Sequence, residues 1–188
     1  MDQSLILASA SPRRRELVGY MGIPFEVICA EAEELKEGAP ETLVMENARR
    51  KARAVADTHP GRLVLGADTI VYLGQQVLGK PENEAEACRM LGMLSGAWHT
   101  VYTGVCIARD GYEDVRWEAS RVQFVPLDEN TIARYVATGE PMDKAGAYAL
   151  QGRGGMFVSR IVGSYSNVIG LPMALTRDML LAAGYQNM

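Results

Sequence analysis

Two serines and three arginines lie at a predicted strand-to-helix turn, in the order Ser9, Ser11, Arg13, Arg14 and Arg15. Guanidinium groups in the first turn of a helix repel the partial positive charge of its N-terminus, so an anion is expected there. A phosphate would accept both the free backbone N–H groups and the arginine donors. The segment therefore indicates a phosphate site, with a solvated basic face paired to nearby acidic residues as the alternative.

A carboxylate stands at the predicted end of a strand, where Asp68 follows the apolar segment 63–65 and a Gly-Ala pair. Carboxylates at the carboxyl ends of strands in open α/β sheets face the usual ligand crevice, so Asp68 could hold a hard cation or orient a water. Glu33 and Glu34 could add oxygen ligands. A local turn made by Asp68 and Thr69 is the alternative.

The histidines and cysteines favour an oxygen-ligated metal. His59 and His99 lie 40 positions apart, and the three cysteines lack the paired spacing of a zinc site. Any metal is therefore expected to be Mg²⁺ or Mn²⁺.

Two lysines, Lys51 and Lys80, lie at positions that would be explained by binding of an anion. Lys51 falls mid-stripe on the apolar face of predicted helix 41–56, so its ammonium group either extends to a nearby surface or points at an anion. Residues 74–80 read Gly-x-x-x-x-Gly-Lys, but Pro81 replaces the Ser or Thr of a P-loop. Lys80 could still reach a phosphate as a point charge.

Four glycines and several small residues occupy segment 143–155. Such residues let backbone approach a ligand closely, and the Gln151 amide offers the donor and acceptor that suit a base edge. A flexible surface loop is the alternative.

Length and composition limit the fold and its partners. The 188 residues are 48% apolar, which predicts one domain over 1–188. A net charge of -4 argues against a nucleic-acid polymer as partner. The apolar run 5–8 is too short for a signal peptide or a membrane span, and three irregularly spaced cysteines indicate a reduced, cytoplasmic protein.

The apolar pattern predicts an α/β fold with a mixed sheet. Strands are predicted at 5–8, 25–28, 63–65 and 157–161, with hairpins at 70–73/76–78 and 98–108/115–125. Helices are predicted at 13–20, 41–56 and 172–183, with two more capped by Asn83 and Asp128.

Taken in order, these segments resemble the Maf family of nucleoside triphosphate pyrophosphatases. The resemblance spans nearly the whole chain. It rests on Ser-Ala-Ser-Pro-Arg-Arg from Ser9, Gly-Ala-Asp-Thr from Gly66, Gly-Lys-Pro from Gly79, Leu-Ser-Gly from Leu94 with His99, Asp-Lys-Ala-Gly-Ala-Tyr from Asp143 running into Gln151-Gly152, and Gly-Ser-Tyr from Gly163 ahead of Gly-Leu-Pro from Gly170.

The resemblance implies metal-dependent hydrolysis of a nucleoside triphosphate between the α and β phosphates, giving a monophosphate and pyrophosphate. It implies a twisted mixed sheet with flanking helices and two lobes around a central cleft, similar to inosine triphosphate pyrophosphatases, and commonly a homodimer. Arg13, Thr69 and Gln151 match positions that mark substrate preference and resemble the branch acting on dTTP and UTP. Ala149 and Leu150 depart from a frequent Gly and Ile.

In the family, the aspartate matching Asp68 is the proton acceptor. We expect Asp68 to orient or deprotonate the attacking water and to help bind the metal, with Glu34, or Glu33 one position away, as a second metal contact. The expected substrate-binding residues are Ser9, Arg13, Arg14, Lys51, Thr69, Lys80 and Gln151.

Three alternatives stay open. The chain could be a nucleotide-binding regulator of cell division without turnover, a phosphatase that removes the γ-phosphate, or an interaction protein whose arginines dock an acidic partner.

Overall fold

The structure is a computed structural model that describes residues 5–29 and 31–186. These residues form seven strands, Leu5–Leu7 (β1), Phe25–Val27 (β2), Val64–Leu73 (β3), Gln76–Leu78 (β4), Trp98–Arg109 (β5), Tyr112–Phe124 (β6) and Val158–Val162 (β7). The same residues form six α-helices, Pro12–Tyr20 (α1), Pro40–Ala56 (α2), Glu84–Leu94 (α3), Glu129–Val136 (α4), Tyr165–Ile169 (α5) and Met173–Ala182 (α6). Within these ranges no helix is long and apolar enough to cross a lipid bilayer.

The strands belong to one mixed sheet. Its order is β2, β1, β3, β5, β6, β7, and β4 pairs with β3 outside this path. β1 is parallel to both β2 and β3, whereas β3 with β4 and β6 with β7 are antiparallel. The mixed pairing and the interleaved helices confirm the predicted α/β class.

Local sequence signals predict most element ends. Ser11 caps α1, and the side chains of Asn83 and Asp128 accept hydrogen bonds from the first turns of α3 and α4. Both predicted hairpins form, β3 with β4 and β5 with β6. The sequence did not predict α5 or the short 3₁₀ turns at Glu140–Asp143, Ala145–Ala147 and Arg153–Phe157.

The third strand differs from its prediction. β3 does not stop at Gly66 but continues through Asp68 and Thr69 to Leu73. The prediction that Asp68 stands at the carboxyl end of a strand is therefore wrong, and so is the alternative of a local turn there. β1 pairs with Val64 and Leu65 of this strand, β4 pairs with Val71 to Leu73, and β5 is its further neighbour in the sheet.

The chain forms two compact units. The first comprises Met1–Asp68, Thr103–Glu118 and Gly170–Met188, and the second comprises Thr69–Tyr102 and Ala119–Ile169. One buried cluster in the first unit consists of Ile6, Ala8, Ala48, Ala52, Val55, Val64, Cys106 and Ala108. The cluster in the second unit is larger and includes most of its aromatic core. That residues 1–188 act as one domain stays a prediction.

In the first unit, α2 lies unusually close to the sheet. A Cβ atom added at Gly66 in β3 would lie 2.5 Å from the Ala48 carbonyl oxygen, and one at Gly104 in β5 would lie 2.1 Å from the Val44 carbonyl oxygen. No side chain fits into these gaps, so both strands need glycine where the helix crosses them. This contact fixes the distance between α2 side chains and the neighbouring residues of β3.

In the second unit, His99, Phe124 and Tyr148 form a buried three-ring cluster. Their ring centroids lie 4.8 to 5.5 Å apart in edge-on contacts, and His99 Nε2 lies 2.9 Å from the Tyr148 hydroxyl. Burial lowers the pKa of His99 to about 4. The imidazole is therefore neutral in the folded protein near pH 7.

Replacement of Gly66 by alanine is expected to lower the free energy of unfolding by about 1 to 3 kcal/mol, because the new methyl group forces α2 away from β3. Urea unfolding followed by fluorescence measures this change. The control is Gly19→Ala in α1, where an added Cβ meets nothing within 4 Å. The control is expected to be neutral or slightly stabilising. Equal unfolding free energies for wild type and Gly66→Ala would contradict the tight contact.

Stability is also expected to depend on the protonation of His99. Its pKa is about 4 in the fold against an ordinary value of 6.5, so the unfolded chain binds more protons between these two values. The unfolding free energy contributed by His99 is fully present above pH 6.5 and is lost as the pH falls towards 4, with about 2 kcal/mol gone at about pH 5.

Urea unfolding at about pH 7.5 and about pH 5 tests this dependence against the His99→Phe variant, which keeps an aromatic ring in the cluster. Wild type is expected to lose more stability between the two pH values than the variant loses. The same loss in both proteins would show that His99 is not the titrating group.

Candidate functional site

Asp68 lies in the middle of β3 and is 7% exposed, and its carboxylate has a partner for each oxygen. Lys51 Nζ donates to Oδ1 over 2.7 Å, and Asn47 Nδ2 donates to Oδ2 over 3.1 Å. Both partners come from α2, one turn apart. Because α2 is held against β3 at Gly66, the two donors reach the carboxylate and fix its orientation.

Lys51 joins two carboxylates. Its Nζ lies 2.7 Å from Asp68 Oδ1 and 2.7 Å from Glu34 Oε1, and its side chain is only 14% exposed. The helical pattern therefore placed Lys51 correctly on the sheet-facing side of α2. Its ammonium group is held by protein carboxylates, however, and does not extend freely to the surface. Two negative charges share this one cation, so the group retains acidic character.

Asn47 contacts the Asp68 carboxylate but was not predicted from the sequence. It is 2% exposed, and its side chain also binds the acidic loop: Oδ1 accepts from the Leu35 N–H over 2.7 Å, and Nδ2 donates to the Leu35 carbonyl over 3.0 Å. Asn47 thus ties the loop beside Glu34 to Asp68. The reasoning applied to Lys51, a polar residue among the apolar residues of a helix, applies equally to Asn47.

The structure separates the roles of Glu33 and Glu34. The Glu34 carboxylate pairs with Lys51, whereas Glu33 contributes its backbone carbonyl, which accepts from Arg50 Nη1 over 3.0 Å. Glu34 therefore lies beside the Asp68 group. Across residues 5–29 and 31–186, no group of three or more His, Cys, Asp or Glu side chains is placed to hold a metal ion.

Arg14 and Ser9 form a second polar group in the first unit. Arg14 Nη1 donates to Ser9 Oγ over 3.2 Å, and Nε donates to the Gly170 carbonyl over 2.8 Å. Burial lowers the pKa of Arg14, while the negative charges of Asp68 and Glu34 oppose this change. Arg14 is therefore a fixed cation within electrostatic reach of both carboxylates.

The neighbouring arginines are freer than Arg14. Arg13 is half-buried and Arg15 is exposed, and neither forms an ion pair within the described part of the chain. Glu16, which could have paired with them, instead accepts a hydrogen bond from the Tyr20 hydroxyl.

The remaining predicted residues, Thr69, Lys80 and Gln151, belong to the second unit. Thr69 is half-buried in β3, directly after Asp68. Lys80 is exposed after β4. Gln151 is exposed in a turn that is closed by a hydrogen bond from the Gly152 N–H to the Ala149 carbonyl over 3.2 Å.

The glycine-rich segment differs from a flexible surface loop. Gly146, Ala147, Tyr148 and Ala149 are buried, and the Gly146 N–H donates to the Gly79 carbonyl over 3.0 Å. The alternative of a flexible loop is therefore wrong for these four residues.

Comparison with known proteins identifies the chain. Residues 4–183 match the family model described as Maf-like protein. The chain belongs to the Maf family. The resemblance seen in the sequence motifs is thereby confirmed.

Curated relatives of this Maf-like chain match over nearly their full lengths. A protein of Symbiobacterium thermophilum named dTTP/UTP pyrophosphatase is 52% identical over 185 residues, which cover 97% of this chain and 95% of that protein. Proteins with the same name from Gloeobacter violaceus and Pelotomaculum thermopropionicum are 48% and 49% identical, with coverages of 96% to 98%.

A solved structure has a similar fold. The Staphylococcus aureus Ham1 protein aligns with a TM-score of 0.53 at 15% identity, over 96% of this Maf-like chain and 99% of that chain. At this identity the likeness concerns the fold alone.

Loss of the Asn47 side chain is expected to loosen the acidic loop. Asn47→Ala leaves the Leu35 N–H and one Asp68 oxygen without their partner, which should lower the free energy of unfolding by about 1 to 3 kcal/mol. Amide hydrogen exchange at Leu35 should accelerate as well.

Asn130→Ala serves as the control, because Asn130 is an exposed residue in the first turn of α4. We expect that variant to unfold like wild type. Wild-type stability and Leu35 exchange in Asn47→Ala would contradict the role of Asn47 as the link between loop and carboxylate.

Proposed function

We propose that this Maf-like protein hydrolyses dTTP and UTP, with modified pyrimidine nucleotides as further candidates, to the nucleoside monophosphate and pyrophosphate. The observation that carries the proposal is the buried Asp68 carboxylate, whose two oxygens are held by Lys51 and Asn47. The names of relatives at about half identity support the same activity. They favour an enzyme over a nucleotide-binding regulator of cell division without turnover.

In the proposed reaction, Asp68 orients a water molecule and accepts its proton as the water oxygen attacks the α-phosphorus. The new bond joins the water oxygen to the α-phosphorus. The bond from the α-phosphorus to the oxygen that bridges it to the β-phosphorus breaks, and pyrophosphate leaves with that bonding electron pair. Lys51 and Asn47 hold the carboxylate so that one orientation is presented to the water.

The cationic side chains neutralise the triphosphate. Arg14 and Lys51 carry fixed positive charges in the first unit, and Ser9 Oγ is held beside Arg14 as a hydrogen-bonding group. Lys80 adds an exposed ammonium group for the phosphates.

Three residues are proposed to select the base. The candidates are Arg13, Thr69 and Gln151, of which Gln151 offers an amide donor and acceptor in an ordered turn.

The acidic oxygens fit a hard divalent cation. Mg²⁺ commonly binds through one or two carboxylates together with substrate phosphates and water, and Asp68 and Glu34 supply two carboxylates that share Lys51. We propose that these residues hold Mg²⁺ or Mn²⁺ with the substrate. The bound ion would neutralise charge that develops on the phosphates.

The cellular setting is also a proposal. Cys29, Cys88 and Cys106 are all free thiols, which agrees with a reducing compartment such as the cytoplasm. A single functional domain over 1–188 and a homodimer stay predictions for this family member.

Asp68→Asn is expected to lower turnover of dTTP by about a hundredfold or more, because an amide cannot accept the proton from water. Pyrophosphate release from canonical and modified triphosphates in the presence of Mg²⁺ measures this loss. The control is Asp178→Asn, which neutralises an exposed carboxylate on α6 and should leave turnover unchanged.

Activity of Asp68→Asn close to wild type would remove Asp68 from the mechanism. Orthophosphate and a diphosphate as products would identify a γ-phosphatase instead. Binding of triphosphates without any product would favour the regulator.

A further inference from the structure

The turn that carries Gln151 is held at both ends by two polar side chains. Before the turn, the Ala149 N–H donates to the Tyr135 hydroxyl over 3.1 Å. After it, the Glu140 carboxylate accepts from the Arg153 N–H and the Gly154 N–H, each over 3.1 Å.

The two anchoring side chains are themselves joined. The Tyr135 hydroxyl donates to Glu140 Oε1 over 2.8 Å, and the Tyr135 ring packs edge-on against Phe157 with centroids 4.9 Å apart. Tyr135 is 4% exposed, so α4 and the core of the second unit fix its hydroxyl. The position of the hydroxyl in turn fixes the Glu140 carboxylate.

The close packing of the turn against Glu140 and Tyr135 requires glycine at two positions. A Cβ at Gly152 would lie 2.5 to 2.6 Å from the Glu140 carboxyl atoms, and a Cβ at Gly154 would lie 2.6 Å from the Tyr135 hydroxyl. From the sequence, these glycines were predicted to allow close approach of a ligand. In the structure they allow close approach of Glu140 and Tyr135.

The carboxylate form of Glu140 is the form that fits. Burial raises the pKa of Glu140, but hydrogen bonds from Gly154, Tyr135 and Arg153 outweigh burial and lower it overall. All three groups are donors, so the site requires an acceptor on both oxygens. A glutamine would direct its own N–H₂ group at one of these donors.

Gln151 has no comparable support of its own. Gln151, Gly152 and Arg153 are exposed, and a segment with several glycines loses much conformational entropy when it becomes ordered. The hydrogen bonds to Tyr135 and Glu140 offset this cost. They hold the backbone of the turn from which the Gln151 side chain projects.

We propose that Glu140 and Tyr135 are positioning residues that hold the Gln151 turn in the conformation that recognises the pyrimidine base, an inference that rests on the proposed function. Neither residue needs to touch the substrate. Glu140 and Tyr135 affect substrate binding by positioning Gln151. This effect can be measured as an energetic coupling between Glu140 and Gln151.

The kinetic test combines Glu140→Gln with Gln151→Ala. In the wild-type background, Glu140→Gln is expected to raise KM for dTTP about tenfold with little change in kcat, because base contacts weaken while the catalytic groups stay in place. In the Gln151→Ala background, the same substitution should change kcat/KM less than about twofold, since the residue it positions is gone.

Tyr135→Phe provides a second variant that keeps the ring packed against Phe157 and removes only the hydroxyl. It should also raise KM for dTTP and lose its effect in the Gln151→Ala background. Glu129→Gln, an exposed residue at the start of α4, is the matched control and should behave like wild type. Equal effects of Glu140→Gln in both backgrounds would overturn the proposal, as would unchanged kinetics in both single variants.

A structural readout separates this inference from the proposed function. In Glu140→Gln, amide hydrogen exchange at Arg153 and Gly154 is expected to accelerate about tenfold or more, with the core of the second unit unchanged. If wild type releases no pyrophosphate from any triphosphate, the proposed function fails, while faster exchange would still support the positioning of the turn. Exchange at the wild-type rate in Glu140→Gln would overturn the positioning role of Glu140, whether or not the wild-type protein hydrolyses triphosphates.

Discussion

The close contact between α2 and the sheet is the constraint on which the site depends. Gly66 and Gly104 leave no room for side chains, so the helix backbone rests almost directly on β3 and β5. At this distance the side chains of Asn47 and Lys51 reach the carboxylate of Asp68. A larger residue at either glycine would widen the gap and separate the donors from their acceptor. The hydrogen bonds that Asp68 accepts from Asn47 and Lys51 therefore depend on glycine at positions 66 and 104.

Two carboxylates and two cations are brought together at this contact. Asp68 and Glu34 share the ammonium group of Lys51, and Arg14 stands close enough for both carboxylates to affect its pKa. Burial of Asp68 and Lys51 makes their ion pair stronger than it would be in water, and it makes an unpaired charge costly there. Such a group is suited to a ligand that brings both negative phosphates and a divalent cation, because Lys51 and Arg14 can bind phosphate oxygens while the two carboxylates can bind the divalent cation.

Local signals in the sequence were sufficient for the helix caps at Ser11, Asn83 and Asp128 and for both hairpins. The helical pattern also placed Lys51 on the face that meets the sheet. The third strand was wrongly predicted to end at Gly66. In the sequence, a glycine at the end of a strand cannot be distinguished from a glycine that allows a helix to pack closely against the strand. The hydrogen-bond partners of Asn47 and Glu140 could not be predicted either, because they lie in segments that come together only in the folded chain.

A crystal structure of the protein with Mg²⁺ and a dTTP analogue whose α–β bridging oxygen is replaced by NH would show whether Asp68 holds the attacking water. We expect the α-phosphate to lie next to the Asp68 group, with Arg14 and Lys51 at the triphosphate and a water between Asp68 and the α-phosphorus. A triphosphate bound elsewhere, with Asp68, Lys51 and Glu34 still paired only to one another, would contradict it.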